Sequence, residues 1–165
     1  MKKTVLILLS FCLSFSAFAQ SVDMEAGLRS GLSSGVSLRV HTGSSDWVEG
    51  MLLSRNQGIQ LVILKGKDVP YLIGRSFPLT LQTAFGGHIG NVRSDYHTGE
   101  IYYNRRWLPV AGVDFFLAAT YQFSRFPVSL SLDYKPFAEL DPDRFLRVNL
   151  WDFGFSIRYQ FTSKK

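Results

Sequence analysis

The chain has 165 residues, of which 46% are hydrophobic and 19% charged, and carries a formal net charge of +5. That length fits one domain, is short for a two-domain enzyme, and is too apolar for a disordered segment. After residue 20 the longest uninterrupted apolar run is 115–119, whereas a membrane-crossing helix needs about 20 such residues. A helical membrane protein is therefore excluded for the region beyond residue 20.

The first segment reads as an address. Met1-Lys2-Lys3 is a short positive stretch, residues 5–13 are apolar, and Ala17-Phe18-Ala19 is an A-x-A cleavage site. This is the layout of a secretory signal peptide, which predicts a leader over 1–19, cleavage after Ala19 and one domain over 20–165. Cys12 follows the large Phe11 inside the apolar stretch, so it does not fit lipidation. Cleavage removes Lys2, Lys3 and the single cysteine, leaving a net charge of +3. No disulfide, thiolate metal site or cofactor is then implied. With both signs scattered along the chain there is no basic stripe for nucleic acid.

From there the side-chain period is two. Val22, Met24, Ala26 and Leu28 alternate with Asp23, Glu25, Gly27 and Arg29. A Gly-rich loop over 31–35 leads to Val36, Leu38 and Val40, alternating with Ser37, Arg39 and His41. Residues 47–55 and 58–65 are strands by composition, with a tight turn at Asn56-Gln57-Gly58. Their two faces are too alike to say which points inward. Residues 65–78 form a connection longer than a turn, or part of it extends a strand. Leu81, Thr83, Phe85, Gly87 and Ile89 alternate with Gln82, Ala84, Gly86, His88 and Gly90. A long polar loop is expected over 91–106. Val113, Phe115, Leu117, Ala119 and Tyr121 oppose Asp114, Ala118, Thr120 and Gln122, and Phe116 interrupts the polar face once. Val128 to Tyr134 alternates in the same way, and a second long loop is expected over 136–147. Finally, Trp151, Phe153, Phe155, Ile157, Tyr159 and Phe161 alternate with Asp152, Gly154, Ser156, Arg158 and Gln160. These are eight strands, six of them with one apolar and one polar face.

In a soluble barrel the apolar face points inward; in an outer-membrane barrel it meets lipid. The polar faces here are rich in Gly and Ser and nearly free of Lys, which suits a narrow lumen with paired charges better than a watery exterior. The residues expected in this lumen network are Asp23, Glu25, Arg29, Arg39, His88, Asp114, Asp133, Asp152 and Arg158. Trp47, Tyr71, Tyr102, Tyr103, Trp107, Tyr121, Tyr134, Trp151 and Tyr159 lie near strand ends, as interfacial girdles require. The expected fold is all-β: an eight-stranded antiparallel up-and-down transmembrane β-barrel.

The end of the chain resembles the terminal strand of outer-membrane barrels, in which a polar residue and a Gly precede alternating apolar or aromatic residues. Asp152, Gly154, Ile157, Tyr159 and Phe161 carry the likeness, although Thr162-Ser163-Lys164-Lys165 follow the last aromatic. Residues 20–161 as a whole resemble the small eight-stranded bacterial outer-membrane β-barrel proteins. Leu132-Asp133-Tyr134-Lys135-Pro136 and Gly86-Gly87-His88-Ile89-Gly90 are similar to stretches in that group. The resemblance implies a Gram-negative outer membrane location, contact with outer-membrane lipid, and recognition of Gly154, Ile157, Tyr159 and Phe161 by the barrel-assembly machinery. It also implies both termini on the periplasmic side and the long loops outside. The 91–106 loop, with Tyr96, Tyr102, Tyr103, Arg105 and Arg106, is aromatic and basic enough to contact lipopolysaccharide phosphates or a partner.

Catalytic signals are weak. Gly31-Leu32-Ser33-Ser34-Gly35 matches G-x-S-x-G, but a nucleophile elbow needs a helix after it and a strand follows here. The histidines 41, 88 and 97 form no metal-ligand spacing. Outer-membrane lipid A deacylases use a His and a Ser two residues apart, which no histidine of this chain offers. The expectation is a non-enzymatic, monomeric barrel with a side-chain-filled lumen and a structural or surface-interaction role. The alternatives are a lipid A-modifying enzyme and a secreted soluble barrel holding an apolar ligand.

Overall fold

A computed structural model describes residues 23–73, 77–96, 104–140, 142 and 145–161. The leader over 1–19 lies outside the described residues. Ten strands follow in chain order: β1 Met24–Gly31, β2 Ser34–His41, β3 Asp46–Arg55, β4 Gly58–Ile73, β5 Phe77–Tyr96, β6 Asn104–Gln122, β7 Val128–Tyr134, β8 Phe137–Leu140, β9 Arg147–Asn149 and β10 Phe153–Phe161. Each pairs antiparallel with its neighbours, and β1 pairs with β10 from Met24 opposite Phe161 to Gly31 opposite Gly154. The sheet is thus closed on itself.

The ten strands make eight staves. β7 and β8 keep one register against β6, with Leu117 opposite Tyr134 and Asp114 opposite Phe137. They are one stave interrupted at Lys135-Pro136, where proline has no N–H for the ladder. β9 and β10 make the eighth. Two residues separate Tyr134 from Phe137, while three separate Asn149 from Phe153 on the paired stave. This extra residue is a β-bulge.

The expected long connections are shorter than their polar composition suggests. β4 runs to Ile73 and β5 starts at Phe77, so the segment read as a long connection over 65–78 is mostly strand. β5 continues to Tyr96 and β6 begins at Asn104, and β8 takes up the start of the expected 136–147 loop. In each case the ladder continues past the apolar band. On β5–β6 the contrast between faces, the only strand signal in the sequence, inverts, with Val92 and Leu108 buried inside; on β4 the exposed Lys65 and Lys67 blur it, and before β8 Pro136 interrupts it.

The two Asn56-Gln57 turn residues have φ of 46° and 58°, the mirror-image turn that matches strand twist in a two-residue hairpin. Asn accepts this left-handed backbone readily.

Burial alternates with the period of two. In β10 the outward Phe153, Phe155, Ile157, Tyr159 and Phe161 are exposed, while Ser156 and Arg158 are buried. Apolar side chains such as Leu132 at 68% and Ile89 at 62% exposure cover the outside. Inside sit eleven buried charged side chains among the described residues. The apolar face therefore points outward, the reverse of a soluble barrel.

The structure also fixes the facing of the third and fourth strands. Trp47, Met51 and Leu53 of β3 and Val62 and Leu64 of β4 point inward and pack with Ala84, Phe116 and Ala118. The lumen is thus not polar throughout: hydrocarbon gathers on the β3–β6 side among the charges of Glu49, Arg55, His88 and Asp114, while the inward positions of β1, β2, β7 and β10 are polar or glycine. Trp47, expected in a girdle, is a lumen residue at 0% exposure, edge-on to Phe116 with centroids 6.2 Å apart. Gly66 of β4 makes the room: a Cβ there would fall within 2.6 Å of the indole Cε2. The exposed Trp107, Trp151 and Tyr159 do face outward.

Because interiors tolerate overpacking poorly, Gly66→Ala is expected to destabilise the barrel by about 1–3 kcal/mol. Urea unfolding in detergent micelles, followed by the mobility of the unboiled protein on a gel, measures it. Combining Gly66→Ala with Trp47→Phe is expected to recover part of the loss.

Candidate functional site in the lumen

The charged wall is built from the inward positions of β1, β2, β3, β5–β8 and β10, and it divides into two linked sets. The first lies toward the rim opposite the chain termini. Arg29 Nε donates to Asp133 Oδ1 at 2.8 Å, and Arg29 Nη2 reaches Asp152 Oδ1 at 3.1 Å. Arg29 Nη1 also donates to the Ser33 hydroxyl at 2.7 Å and to the Ser33 carbonyl. Ser33 Oγ in turn donates to Asp152 Oδ2 at 2.6 Å, and Ser156 Oγ to Asp133 Oδ2 at 2.6 Å. Lys135 Nζ bridges onward, 3.5 Å from Asp152 Oδ2 and 2.8 Å from Asp114 Oδ1. His88 closes the set, with Nδ1 2.6 Å from Asp114 Oδ2 and Nε2 3.1 Å from Glu139 Oε2. Arg55 Nη2 donates to the same Glu139 oxygen.

The second set lies toward the termini. Arg39 donates to Glu49 Oε2 from Nη2 at 2.7 Å and from Nε at 3.2 Å. Arg158 Nε donates to the other Glu49 oxygen at 3.2 Å and its Nη1 to Ser131 Oγ at 2.9 Å. The Arg39 guanidinium also lies 3.9 Å over the Trp47 ring, a favourable cation–π arrangement away from water. Glu25 sits 3.8 Å from Arg39 and 2.9 Å from His41 Nε2.

The charges balance. An ionised carboxylate only accepts hydrogen bonds, so His88, placed between two of them, donates from both ring nitrogens and is a cation. Arg29, Arg39, Arg55, His88, Lys135 and Arg158 then face Glu25, Glu49, Asp114, Asp133, Glu139 and Asp152. Buried ions persist only when paired in this way.

Of the residues expected in the lumen, Glu25, Arg29, Arg39, His88, Asp114, Asp133, Asp152 and Arg158 are buried there. Asp23 is not. It precedes β1 and is exposed, because the wall ends at Met24 and leaves it on the rim. Four charged members were missed: Glu49, Arg55, Lys135 and Glu139. Glu49 and Arg55 lie on a strand with two similar faces. Lys135 was read on the polar face after Asp133 but not placed in the network, and Glu139 falls past the Pro136 break, where a loop was expected; the inward phase Asp133, Lys135, Phe137, Glu139 was the available signal.

Ser33, centre of the G-x-S-x-G match, is fully buried and its hydroxyl engages Arg29 and Asp152. No histidine touches it among the described residues, so this is a turn locked to the lumen network. Of the terminal-strand residues, Ile157, Tyr159 and Phe161 face outward from β10, and Gly154 pairs with Gly31 of β1. Tyr96, Arg105 and Arg106 belong to the β5–β6 hairpin, which rises above its neighbours, with Ser94 opposite Arg106 and Tyr96 opposite Asn104. Their side chains lie outside the described residues, as do Tyr102 and Tyr103 altogether.

The fold is that of a known barrel. The crystal structure of the N-terminal β-barrel domain of OprF from Pseudomonas aeruginosa aligns at a TM-score of 0.58, with 10% identity, over 86% of this chain and 97% of that one. A structure of the NanC porin covers 86% of this chain and 100% of its own at 14% identity, but its TM-score of 0.22 is too low to bear on the fold. No protein-family model and no curated protein matches the sequence. The OprF likeness, at this identity, extends to the closed eight-stranded antiparallel architecture.

Removing one member of a buried ion set strands its partners. Arg29→Met is expected to cost about 3–5 kcal/mol, because Asp133 loses its cation and Asp152 keeps only Lys135, at 3.5 Å. The double variant Arg29→Met/Asp133→Asn is expected to recover part of it. Urea midpoints in micelles for the two single variants and the double give the coupling directly.

Proposed function

We propose that this chain is an integral β-barrel of a bacterial outer membrane, with a lumen filled by side chains and a structural or surface-interaction role exercised at the rim opposite its termini. The observation that carries this reading is the inversion of burial. Hydrocarbon covers the outside of the wall and paired charge fills the inside. An apolar exterior of that extent in water would drive association; in a bilayer it is what the solvent demands. Only a closed barrel or a helix satisfies every backbone group there.

Further support comes from the aromatic pairs at two levels of the outer wall. Tyr121 with Phe123 and Tyr159 with Phe161 lie near the terminal rim, and Tyr134, Phe153 and Trp151 lie higher. Such rings favour the two membrane interfaces. The leader-like segment agrees with export, and the exposed Ile157, Tyr159 and Phe161 agree with a terminal strand read by the assembly machinery. The tall β5–β6 hairpin, with Arg105 and Arg106, is the natural contact for lipopolysaccharide phosphates. The packed lumen argues for a wall and a scaffold rather than a channel, as eight strands enclose only enough space for side chains.

Expressed from its full sequence in a Gram-negative host, the protein is expected in the outer-membrane fraction, with a mobility that shifts on boiling. A soluble, unshifted protein in periplasm or medium overturns the reading. In planar bilayers the purified barrel is expected to give no stepwise conductance, and incubated lipid A is expected to keep its acyl chains by mass spectrometry.

A further inference from the structure

The end of the barrel that carries the chain termini opens into a recess of about 270 Å³ lined by polar side chains, among them Asp23, Glu25, His41, Asp68, Gln82 and Gln160. No Lys or Arg belongs to its lining. Its acceptors outnumber its donors. Asp68 Oδ1 accepts from the Trp47 indole at 2.7 Å and from Gln82 Nε2 at 3.1 Å. Both donors are neutral, and among the described residues no Lys or Arg pairs with Asp68; His41, within electrostatic reach of it, is held by Glu25 at 2.9 Å. Asp23 stands exposed on the rim, also without a cation among the described residues. Gln82 is only 4% exposed, yet its Oε1 has no hydrogen-bond partner. Elsewhere in the lumen every buried carboxylate of the described residues meets a cation, so carboxylates without one are confined to the mouth.

The surplus is also spread out. Among the described residues no three His, Cys, Asp or Glu side chains converge closely enough to hold a metal ion. A single small ion therefore does not match the site, whereas a longer cation with donors at both ends does. We propose that the recess binds a linear aliphatic diammonium ion, one ammonium engaging Asp68 beside Gln82 and the other reaching Asp23 at the rim. Each ammonium carries three N–H donors and accepts nothing, the complement of what the lining offers. This site belongs to the barrel's mouth and stands independently of the role proposed above for the opposite rim.

The test is isothermal titration calorimetry of the purified leader-free barrel in zwitterionic detergent at low salt, with putrescine as probe. Saturable binding is expected, with butylamine, which has the same chain and one ammonium, binding about fivefold more weakly. Asp68→Asn keeps an oxygen for Trp47 and Gln82 and is expected to weaken putrescine about fivefold. Asp46→Asn, an exposed carboxylate outside the recess, is expected to leave binding unchanged. If Asp68→Asn does not fold, as judged by its unboiled gel mobility, Asp23→Asn replaces it, since that exposed side chain packs against nothing. The proposal fails if putrescine does not saturate, if butylamine binds as well, if the recess variant tested binds like the parent, or if Asp46→Asn weakens binding equally.

Discussion

Closure of β1 against β10 is the constraint from which the rest of the molecule follows. It removes both sheet edges, so the backbone donors and acceptors of the wall are spent within the wall. It also divides side chains into two sets by a period of two, with no third place to go. A strand in an open sheet can slide to relieve a poor inward residue. Here a slip of one would carry the whole inward set of a stave to the outside. Placing Arg, Lys, Asp and Glu on inward positions therefore commits the chain to a buried ion network, and the network can only be neutral and hydrogen-bonded. The sequence of contacts from Arg29 through Asp152, Lys135, Asp114 and His88 to Glu139 and Arg55 joins six of the eight staves. These pairs knit staves that are far apart in sequence, such as β1 with β7 and β3 with β8.

The apolar half of the lumen has a different logic. Met51, Leu53, Val62, Leu64 and Phe116 fill volume along β3–β6 without needing partners, and Trp47 needs one only for its indole N–H, which Asp68 accepts. One atom set joins the two halves: the Arg39 guanidinium, which donates to Glu49 while stacking on Trp47. Gly66 and Gly154 mark where bulky groups press on the wall. A Cβ on Gly154 would lie 2.7 Å from the Arg29 guanidinium carbon. The lumen is therefore as tightly specified as a soluble core, with charge pairing around the barrel and hydrocarbon packing gathered on the β3–β6 side.

How much of this was legible depended on contrast between faces. β1, β2, β5, β6, β7 and β10 juxtapose hydrocarbon with Gly, Ser or charge, and their facing could be read directly. So could most of the lumen charges they carry. β3 and β4 place Met51, Leu53, Val62 and Leu64 inward and Leu52, Leu61 and Ile63 outward; an apolar lumen wall erases the only signal available. Glu49, Arg55 and Trp47 were lost with it. The extended hairpins failed for a different reason: past the apolar band the contrast inverts on β5–β6, where Val92 and Leu108 are buried, and Pro136 interrupts it before β8, so strand looks like loop. Asp23 continued the alternation perfectly but lay one residue past the end of the ladder, and alternation alone does not show where a ladder stops.

The break in the seventh and eighth staves shows how a single residue keeps both solvents satisfied. Proline at 136 cannot donate to the ladder, yet its carbonyl still accepts from Phe115 N–H at 3.0 Å and the Lys135 N–H reaches the Asp152 carbonyl at 2.8 Å. Opposite this point the partner stave carries its extra residue. Alternating strictly from the inward Asn149, Trp151 would point into the lumen and Asp152 out toward the apolar surface. The bulge instead leaves Leu150 and Trp151 both exposed, at 54% and 77%, and turns Asp152 inward to full burial. Asn149 holds the distortion by accepting the Trp151 N–H on its Oδ1 at 2.8 Å. The energetic case is one-sided: an aspartate facing hydrocarbon without a partner is costly, whereas inward it accepts from Arg29 and Ser33 and neighbours Lys135. The bulge is thus the device that sets the phase of β10, and with it the inward positions of Asp152, Ser156 and Arg158, against the other seven staves.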